Sequence, residues 1–344
     1  RPRLGARRAG VSRTRNFSNW AYWRLQLEQV GAATPQPSPP ADLDTWRART
    51  RARLDDLLGA HPLPVPLDLE TTEEVDCGDY SRARLVFDVE ATMSVPAFLL
   101  IPHARRDAPP GPAVLAVHGH GPGKSVVCGT APGGPGDDYA HQLASLGYVV
   151  LAPDMRGFGE RADWTPDDIY HCDWDLVCAT MAGIVPLERN LWDLRCALDV
   201  LSAHPLVDRT RIAAAGLSFG GTCTLFLAAL DERVRAAVVS GYLSSWGAAH
   251  TVPFNMCGSQ VMPGQLGTIE HLDIAALIAP RPLLVESGTD DLIFPADVAR
   301  TTVVRLGDVY ARLGAPDGSL VHGVFEGDHR WYGTDVPAFL ERWL

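Results

Sequence analysis

Arg211-Ile212-Ala213-Ala214-Ala215-Gly216-Leu217-Ser218-Phe219-Gly220-Gly221 leads directly into a helical pattern, Thr222 to Leu230. An apolar run enters a Gly-x-Ser-x-Gly turn and leaves it as a helix. Strand, sharp turn and helix together are the context in which this motif acts as a nucleophile elbow, with the serine hydroxyl exposed at the top of a sheet. Gly216 and Gly220 carry no Cβ, so strand and helix can approach closely. A competing reading makes Ser218 a helix N-cap after a tight turn. That reading explains Ser218 but not the groups placed around it by the rest of the chain.

Outward from this stretch, strands and helices alternate. Ala113–Val117, Tyr148–Ala152, Ile212–Ala215, Val234–Val239, Leu283–Glu286 and Leu320–Phe325 read as strands. Asp138–Leu146, Leu187–Ala203, Pro295–Leu313 and Val336–Leu344 read as helices. Such alternation predicts an α/β fold, with a mainly parallel twisted sheet covered by helices on both faces. Arg84–Glu90 and Val95–Ile101 precede it as an antiparallel pair at the sheet edge. Residues 80–344 form the expected catalytic domain, and residues 1–79 an N-terminal arm and helical extension. Within that extension, residues 1–15 read as an arm, Phe17–Val30 as helical, and Ala33–Pro40, with four prolines, as a linker. Asp44–Leu58 reads as a second helix, with Asp44 as N-cap and Gly59 as the stop. The expected role of the two helices is to cover a domain surface or to form a homo-oligomer contact.

Two stretches break the alternation, at about 157–186 and 244–273. Both leave the carboxyl end of a strand, so both overhang the crevice where ligands sit in such sheets. Their large side chains Trp164, Tyr170, Trp174, Trp246, Phe254 and Met256 are the candidate pocket walls. Ordinary packing of large side chains is the alternative.

Composition narrows the function classes. The 344 residues are 46% apolar and 21% charged, ordinary for a globular chain with a sizeable core. A net charge of -11 argues against nucleic acid or an anionic membrane as partner. Seven scattered cysteines with no Cys-x-x-Cys pair argue for reduced thiols, against a disulfide framework and against a zinc site. No secretory pattern is visible, and a cytoplasmic location is expected. The chain begins with Arg rather than Met, so an upstream segment stays open. Lys124 is the only lysine, read as coding bias.

A serine hydroxyl needs a base to take its proton and a third group to orient that base. After an elbow of this type the order is serine, acid, histidine. Leu283-Leu284-Val285-Glu286-Ser287-Gly288-Thr289-Asp290-Asp291-Leu292-Ile293-Phe294-Pro295 puts two aspartates in a loop just past a strand. Asp291 is chosen for its Asp-x-x-x-Pro spacing before the helix, and Asp290 is the alternative. His329 follows the last strand and is the expected base; His322 competes but lies within the strand. For a developing oxyanion, the N–H of Phe219 is one donor, and the loop Val117-His118-Gly119-His120-Gly121-Pro122-Gly123-Lys124 offers the N–H of His120. His118 and His120 could pair on a metal, but no further ligand follows at metallohydrolase spacing, so no metal is assigned. A phosphate-loop reading fails because His118 stands where a glycine is needed. Bracing the loop by hydrogen bonds is the remaining role for His118.

In this order, the elbow, acid loop, terminal histidine and His-Gly-x-Gly loop resemble the α/β-hydrolase fold from about Tyr80 to the end. More narrowly, four stretches resemble bacterial acetyl xylan esterases and dienelactone-hydrolase-like esterases. They are His118-Gly119-His120-Gly121, Pro153-Asp154-Met155-Arg156-Gly157-Phe158-Gly159-Glu160, Gly216-Leu217-Ser218-Phe219-Gly220-Gly221 and Ala279-Pro280-Arg281-Pro282-Leu283-Leu284. The resemblance implies hydrolysis of small-molecule esters, including acetylated sugars, through an acyl-enzyme and without a cofactor. Dienelactone hydrolases proper carry cysteine at the elbow; serine here favours ordinary carboxylic esters. The alternatives are a serine peptidase or amidase of the prolyl-oligopeptidase type, and a non-catalytic binding protein on the same fold. Residues 1–79 are too short and too helical for the propeller of the first. An intact set of serine, acid and histidine argues against the second.

Overall fold

The computed structural model describes residues 17–33, 39–134, 136–163, 171–249 and 256–344. The arm at 1–15, most of the proline linker, and three of the candidate wall residues (Trp164, Tyr170 and Phe254) lie outside these residues. The strands in chain order are β1 (Glu70–Asp76), β2 (Tyr80–Glu90), β3 (Met93–Pro102), β4 (Gly111–Val117), β5 (Val149–Pro153), β6 (Val207–Leu217), β7 (Val234–Ser240), β8 (Leu283–Gly288) and β9 (Leu320–Phe325). The helices are α1 (Asn19–Ala33), α2 (Leu43–Leu58), α3 (Lys124–Val127), α4 (Tyr139–Ser145), α5 (His171–Ala182), α6 (Pro186–Ala203), α7 (Phe219–Leu230), α8 (Trp246–Ala249), α9 (His271–Ile278), α10 (Ala296–Arg312) and α11 (Val336–Trp343).

Among the described residues the strands join in one sheet, ordered β1-β2-β3-β5-β4-β6-β7-β8-β9. β1, β2, β3 and β5 pair antiparallel, and the pairs from β5–β4 through β8–β9 are parallel. This is the expected α/β-hydrolase architecture. The sheet begins earlier than the sequence pattern suggests, because β1 adds a strand outside the expected pair. Its sequence, Glu-Thr-Thr-Glu-Glu-Val-Asp, is almost wholly exposed and holds one apolar residue, Val75, so no apolar period marks it.

β4, β5 and residues 212–217 of β6 are apolar throughout because both faces are covered there. Alternation then divides their side chains between two cores. Ala113, Leu115 and Val117 of β4 pack on one side with α6, α7, α9 and α2. Val114 and Ala116 pack on the other with Tyr139 and Leu143 of α4 and with Phe339 and Leu340 of α11. α7 is buried along its whole length, so it carries no polar face. No helix among the described residues is long and apolar enough to cross a membrane.

The second helix docks as a cover. Leu54 and Leu58 of α2 are buried, and Trp46 and Leu57 pack against the same core. Asp42, not Asp44, is its N-cap: Asp42 Oδ1 accepts from Thr45 N–H at 3.0 Å. The helix starts at Leu43, one residue before Asp44, which puts Asp44 inside the first turn. Gly59 stops it with φ 75. By contrast α1 leaves Trp20, Trp23 and Leu25 more than half exposed.

The chain passes from β4 to β5 on one side and then crosses to β6 on the other. The carboxyl ends of β4 and β6 therefore lie side by side, with Val117 opposite Gly216. Loops leaving this reversal diverge and open a crevice.

Candidate active site

Ser218 sits at the end of β6 with φ 60 and ψ -120, an uncommon conformation for a residue with a side chain. Its neighbours hold it there. Ser218 N–H donates to Ser240 O of β7 at 3.0 Å, and Thr222 N–H donates to Ser218 O at 2.9 Å. The flanking glycines are demanded by contact: a Cβ on Gly216 would lie 2.4 Å from the Gly220 carbonyl, and one on Gly220 would lie 1.9 Å from Val117 O. The elbow is therefore clamped between the ends of β4 and β7.

Asp291 and His329 come together beside it. Asp291 Oδ2 lies 2.7 Å from His329 Nδ1. Asp291 Oδ1 accepts from the N–H groups of Ile293 and Phe294 at 2.8 and 2.9 Å. Both carboxylate oxygens are thus engaged, and the side chain is buried. Asp290 is exposed, its N–H bonded to Gly327 O. His329 packs against Gly241, just past β7 and beside the Leu217 side chain: a Cβ on Gly241 would lie 2.9 Å from His329 Cε1 and 3.1 Å from Leu217 Cδ1. Its Nε2 is buried, with no hydrogen-bond partner among the described residues. His322, the competing histidine, stays in β9 and bonds Ser287 Oγ at 3.0 Å.

The loop after β4 lies against the serine. A Cβ on Gly119 would lie 3.0 Å from Leu217 O and 3.4 Å from Ser218 Cβ. His118 braces this loop, as the sequence suggests. Met155 N–H donates to His118 Nε2 at 2.9 Å, so the proton sits on Nδ1, which donates to Gly119 O at 2.7 Å. Burial lowers its pKa and keeps the ring neutral, in agreement with that tautomer. Phe219 opens α7, where the helix supplies no partner for its N–H. The His120 ring lies 5.3 Å from those of Phe158 and Phe219.

The same loop is anchored by a buried ion pair that sequence reasoning missed. Lys124 Nζ lies 2.5 Å from Asp154 Oδ2 and 2.5 Å from Glu160 Oε1. Lys124 N–H and Glu160 N–H also donate to the Asp154 carboxylate, at 2.7 and 3.0 Å. Hydrogen bonds from Arg84 and then Lys124 hold the Glu160 carboxyl down, to about 2. The sequence carried one signal for it: Lys124 is the only lysine of the chain.

The candidate wall residues scatter. Trp174 is 48% exposed and lines a cavity of about 590 Å³ with Arg156, Arg161, His171 and Asp175. Ser218, Asp291 and His329 do not line that cavity. His329 instead edges a shallow cleft of about 500 Å³ with Asp290, Asp137 and Gly134. Trp246 is fully buried against His271, with its indole N–H on Ile269 O, so it offers a ligand no surface. Packing, the alternative reading of these aromatics, accounts for Trp246. Met256 is partly buried on the main core.

Comparison with known proteins agrees with the architecture. A protein of Bacteroides fragilis NCTC 9343, named as a candidate acetyl xylan esterase, superposes with a TM-score of 0.73 at 18% identity, covering 91% of this chain and 83% of that one. A glucuronoyl esterase from Solibacter usitatus gives 0.64 at 16% identity, covering 89% and 93%. At such identities the likeness speaks for the fold. A candidate hydrolase of Bacillus subtilis (strain 168), YtaP, is 30% identical over 306 residues, 87% of this chain and 100% of its own. The dienelactone hydrolase family matches residues 112–306, from β4 through the elbow and the acid loop into α10. With more than half of its length matched, and the elbow at the centre of the match, the chain belongs to the dienelactone hydrolase family.

Proposed function

We propose that the chain is a serine carboxylesterase, with Ser218, Asp291 and His329 as its triad. The observation that carries this reading is the 2.7 Å contact between Asp291 Oδ2 and His329 Nδ1 beside the elbow. With its Nδ1 proton held by Asp291, the imidazole presents the Nε2 lone pair to the serine proton. Ser218 Oγ attacks the ester carbonyl as Nε2 takes its proton. The N–H groups of Phe219 and His120 hold the developing oxyanion. Collapse expels the alcohol, protonated by His329, and leaves an acyl-serine. Water, deprotonated by the same nitrogen, then releases the acid. Serine in place of the elbow cysteine of dienelactone hydrolases favours ordinary carboxylic esters.

The proposed substrate class is carbohydrate esters, acetylated sugars among them: proteins named acetyl xylan esterase and glucuronoyl esterase share this fold, which supports that reading. The test is labelling with a fluorophosphonate probe together with p-nitrophenyl acetate hydrolysis, each on the wild type and on Ser218→Ala. Labelling and turnover abolished in Ser218→Ala are expected. Folded wild type that neither labels nor turns over, or that cleaves peptides but not short esters, would overturn the reading.

A further inference from the structure

Three sulfur and nitrogen atoms meet where the two excursions touch the loop after β4. His120 comes from that loop, Cys172 from the first turn of α5, and Cys257 from the segment before a short 3-10 turn, Gly258–Gln260. One ligand atom from each lies within 4.8 Å of the other two. His120 Nε2 and Cys172 Sγ are 3.6 Å apart. Tetrahedral Zn²⁺ with ordinary Zn–N and Zn–S bonds puts a nitrogen and a sulfur about 3.6 Å apart along the coordination edge.

The surroundings hold these atoms in place. The Cys172 side chain is buried. Gly258 packs so closely on α5 that a Cβ there would lie 2.4 Å from Cys172 O, and its N–H donates to Asp173 Oδ1. Gln260 accepts from Cys257 N–H and donates to Thr222 Oγ1 of α7 at 2.7 Å. Two sulfurs and an imidazole nitrogen are a soft donor set, suited to zinc and unsuited to calcium or magnesium. Two thiolates balance a divalent charge, which makes the centre tolerable in a buried place.

We infer that His120, Cys172 and Cys257 form a Zn²⁺ site that ties both excursions to the loop beside Ser218. Three protein ligands leave one coordination position for water. The inference is independent of ester hydrolysis. Ligand spacing along the chain could not reveal it, since the three residues come from three separate segments, a loop, a helix and the segment before a 3-10 turn.

The test uses Co²⁺ as a spectroscopic stand-in on the reduced, metal-free full chain, followed by competition with Zn²⁺. Expected are one ion per chain, a thiolate-to-cobalt charge-transfer band with intense tetrahedral visible bands, and displacement of both by zinc. Cys257→Ala should weaken binding by more than the about 10–100-fold typical of losing an outer-sphere contact. Cys178→Ala, at an exposed thiol outside the cluster, should bind as the wild type does. Circular dichroism and the melting temperature of each metal-free variant separate lost binding from lost folding. Absence of a charge-transfer band in folded wild type would overturn the site, as would equal binding by wild type and Cys257→Ala. A Cys172–Cys257 disulfide that survives reductant would overturn it as well.

Discussion

Asp291 holds His329 through one carboxylate oxygen at 2.7 Å while its other oxygen is fixed by two backbone N–H groups. Asp290, one residue earlier, is exposed and shares the edge of a cleft with His329 but, among the described residues, makes no side-chain bond to it. The two aspartates should therefore respond very differently to the same change. Asp291→Asn presents an amide to His329 Nδ1, favours the wrong tautomer, and should lower kcat by about 10⁴-fold. Asp290→Asn should leave kcat within about twofold, as expected for an exposed substitution. Steady-state hydrolysis of p-nitrophenyl acetate by both variants checks this; equal losses would contradict the assignment.

The Lys124–Asp154 pair separates buried from exposed electrostatics within one cluster. Both side chains are essentially inaccessible, and Asp154 also organises the backbone of two loops. Lys124→Met leaves a buried carboxylate without its cation and should cost about 3–5 kcal/mol. Arg84, on the solvent side of Glu160, is 28% exposed and its partner 42%. Arg84→Ala should cost under about 1 kcal/mol. Urea unfolding of the two variants measures the contrast, and similar midpoints would show that burial does not set the cost.

What was legible in the sequence follows from how local each signal is. The elbow, the acid loop and the terminal histidine each announce themselves by a strand end and a neighbouring helix, so order along the chain was enough to propose Ser218 and His329. The choice of Asp291 over Asp290 needed the Asp-x-x-x-Pro spacing. The structure brings Asp291 and His329 within 2.7 Å. β1 was invisible because a solvated edge strand of Glu and Thr has no apolar period. The Asp42 cap lay two residues from the residue chosen, since Asp42 and Asp44 flank the same helix start. Trp246 shows the limit of reading large aromatics: whether a tryptophan faces a ligand or a core depends on α9, distant in sequence, which brings His271 against it. The His120, Cys172 and Cys257 cluster is likewise a product of tertiary packing.

Glu286 gives a pH signature. It is fully buried in β8, receives one N–H from Gly333 at 2.9 Å, and its Oε2 has no partner among the described residues. Burial pushes its carboxyl up from 4.5 to about 7. Between those values the folded state keeps a proton that the unfolded chain releases. Stability from this residue is therefore present below 4.5, falls as pH rises through the window, and is flat above 7. Glu286→Gln removes the loss and should stabilise the protein at pH 8 by on the order of 1–3 kcal/mol. Chemical denaturation at a series of pH values checks it. Parallel curves for wild type and variant would refute the assignment.

The N-terminal extension should support the fold more than the chemistry. Arg51 of α2 donates to Leu230 O and Ala229 O at 2.8 and 3.3 Å, at the carboxyl end of the helix that begins at the elbow. Arg47 donates to Ala279 O at 2.6 Å, just past α9. Both guanidinium groups meet carbonyls that a helix end leaves unsatisfied, and their charge suits the negative pole there. Arg47→Ala/Arg51→Ala should lower stability by about 1–3 kcal/mol. The far end of α7, more than ten residues away along the helix, stays clamped by β4 and β7. Accordingly kcat/KM should change by no more than about twofold. Urea unfolding and steady-state kinetics on the same preparation decide it: an unchanged midpoint with lost activity would show that α2 acts on the site rather than on the fold.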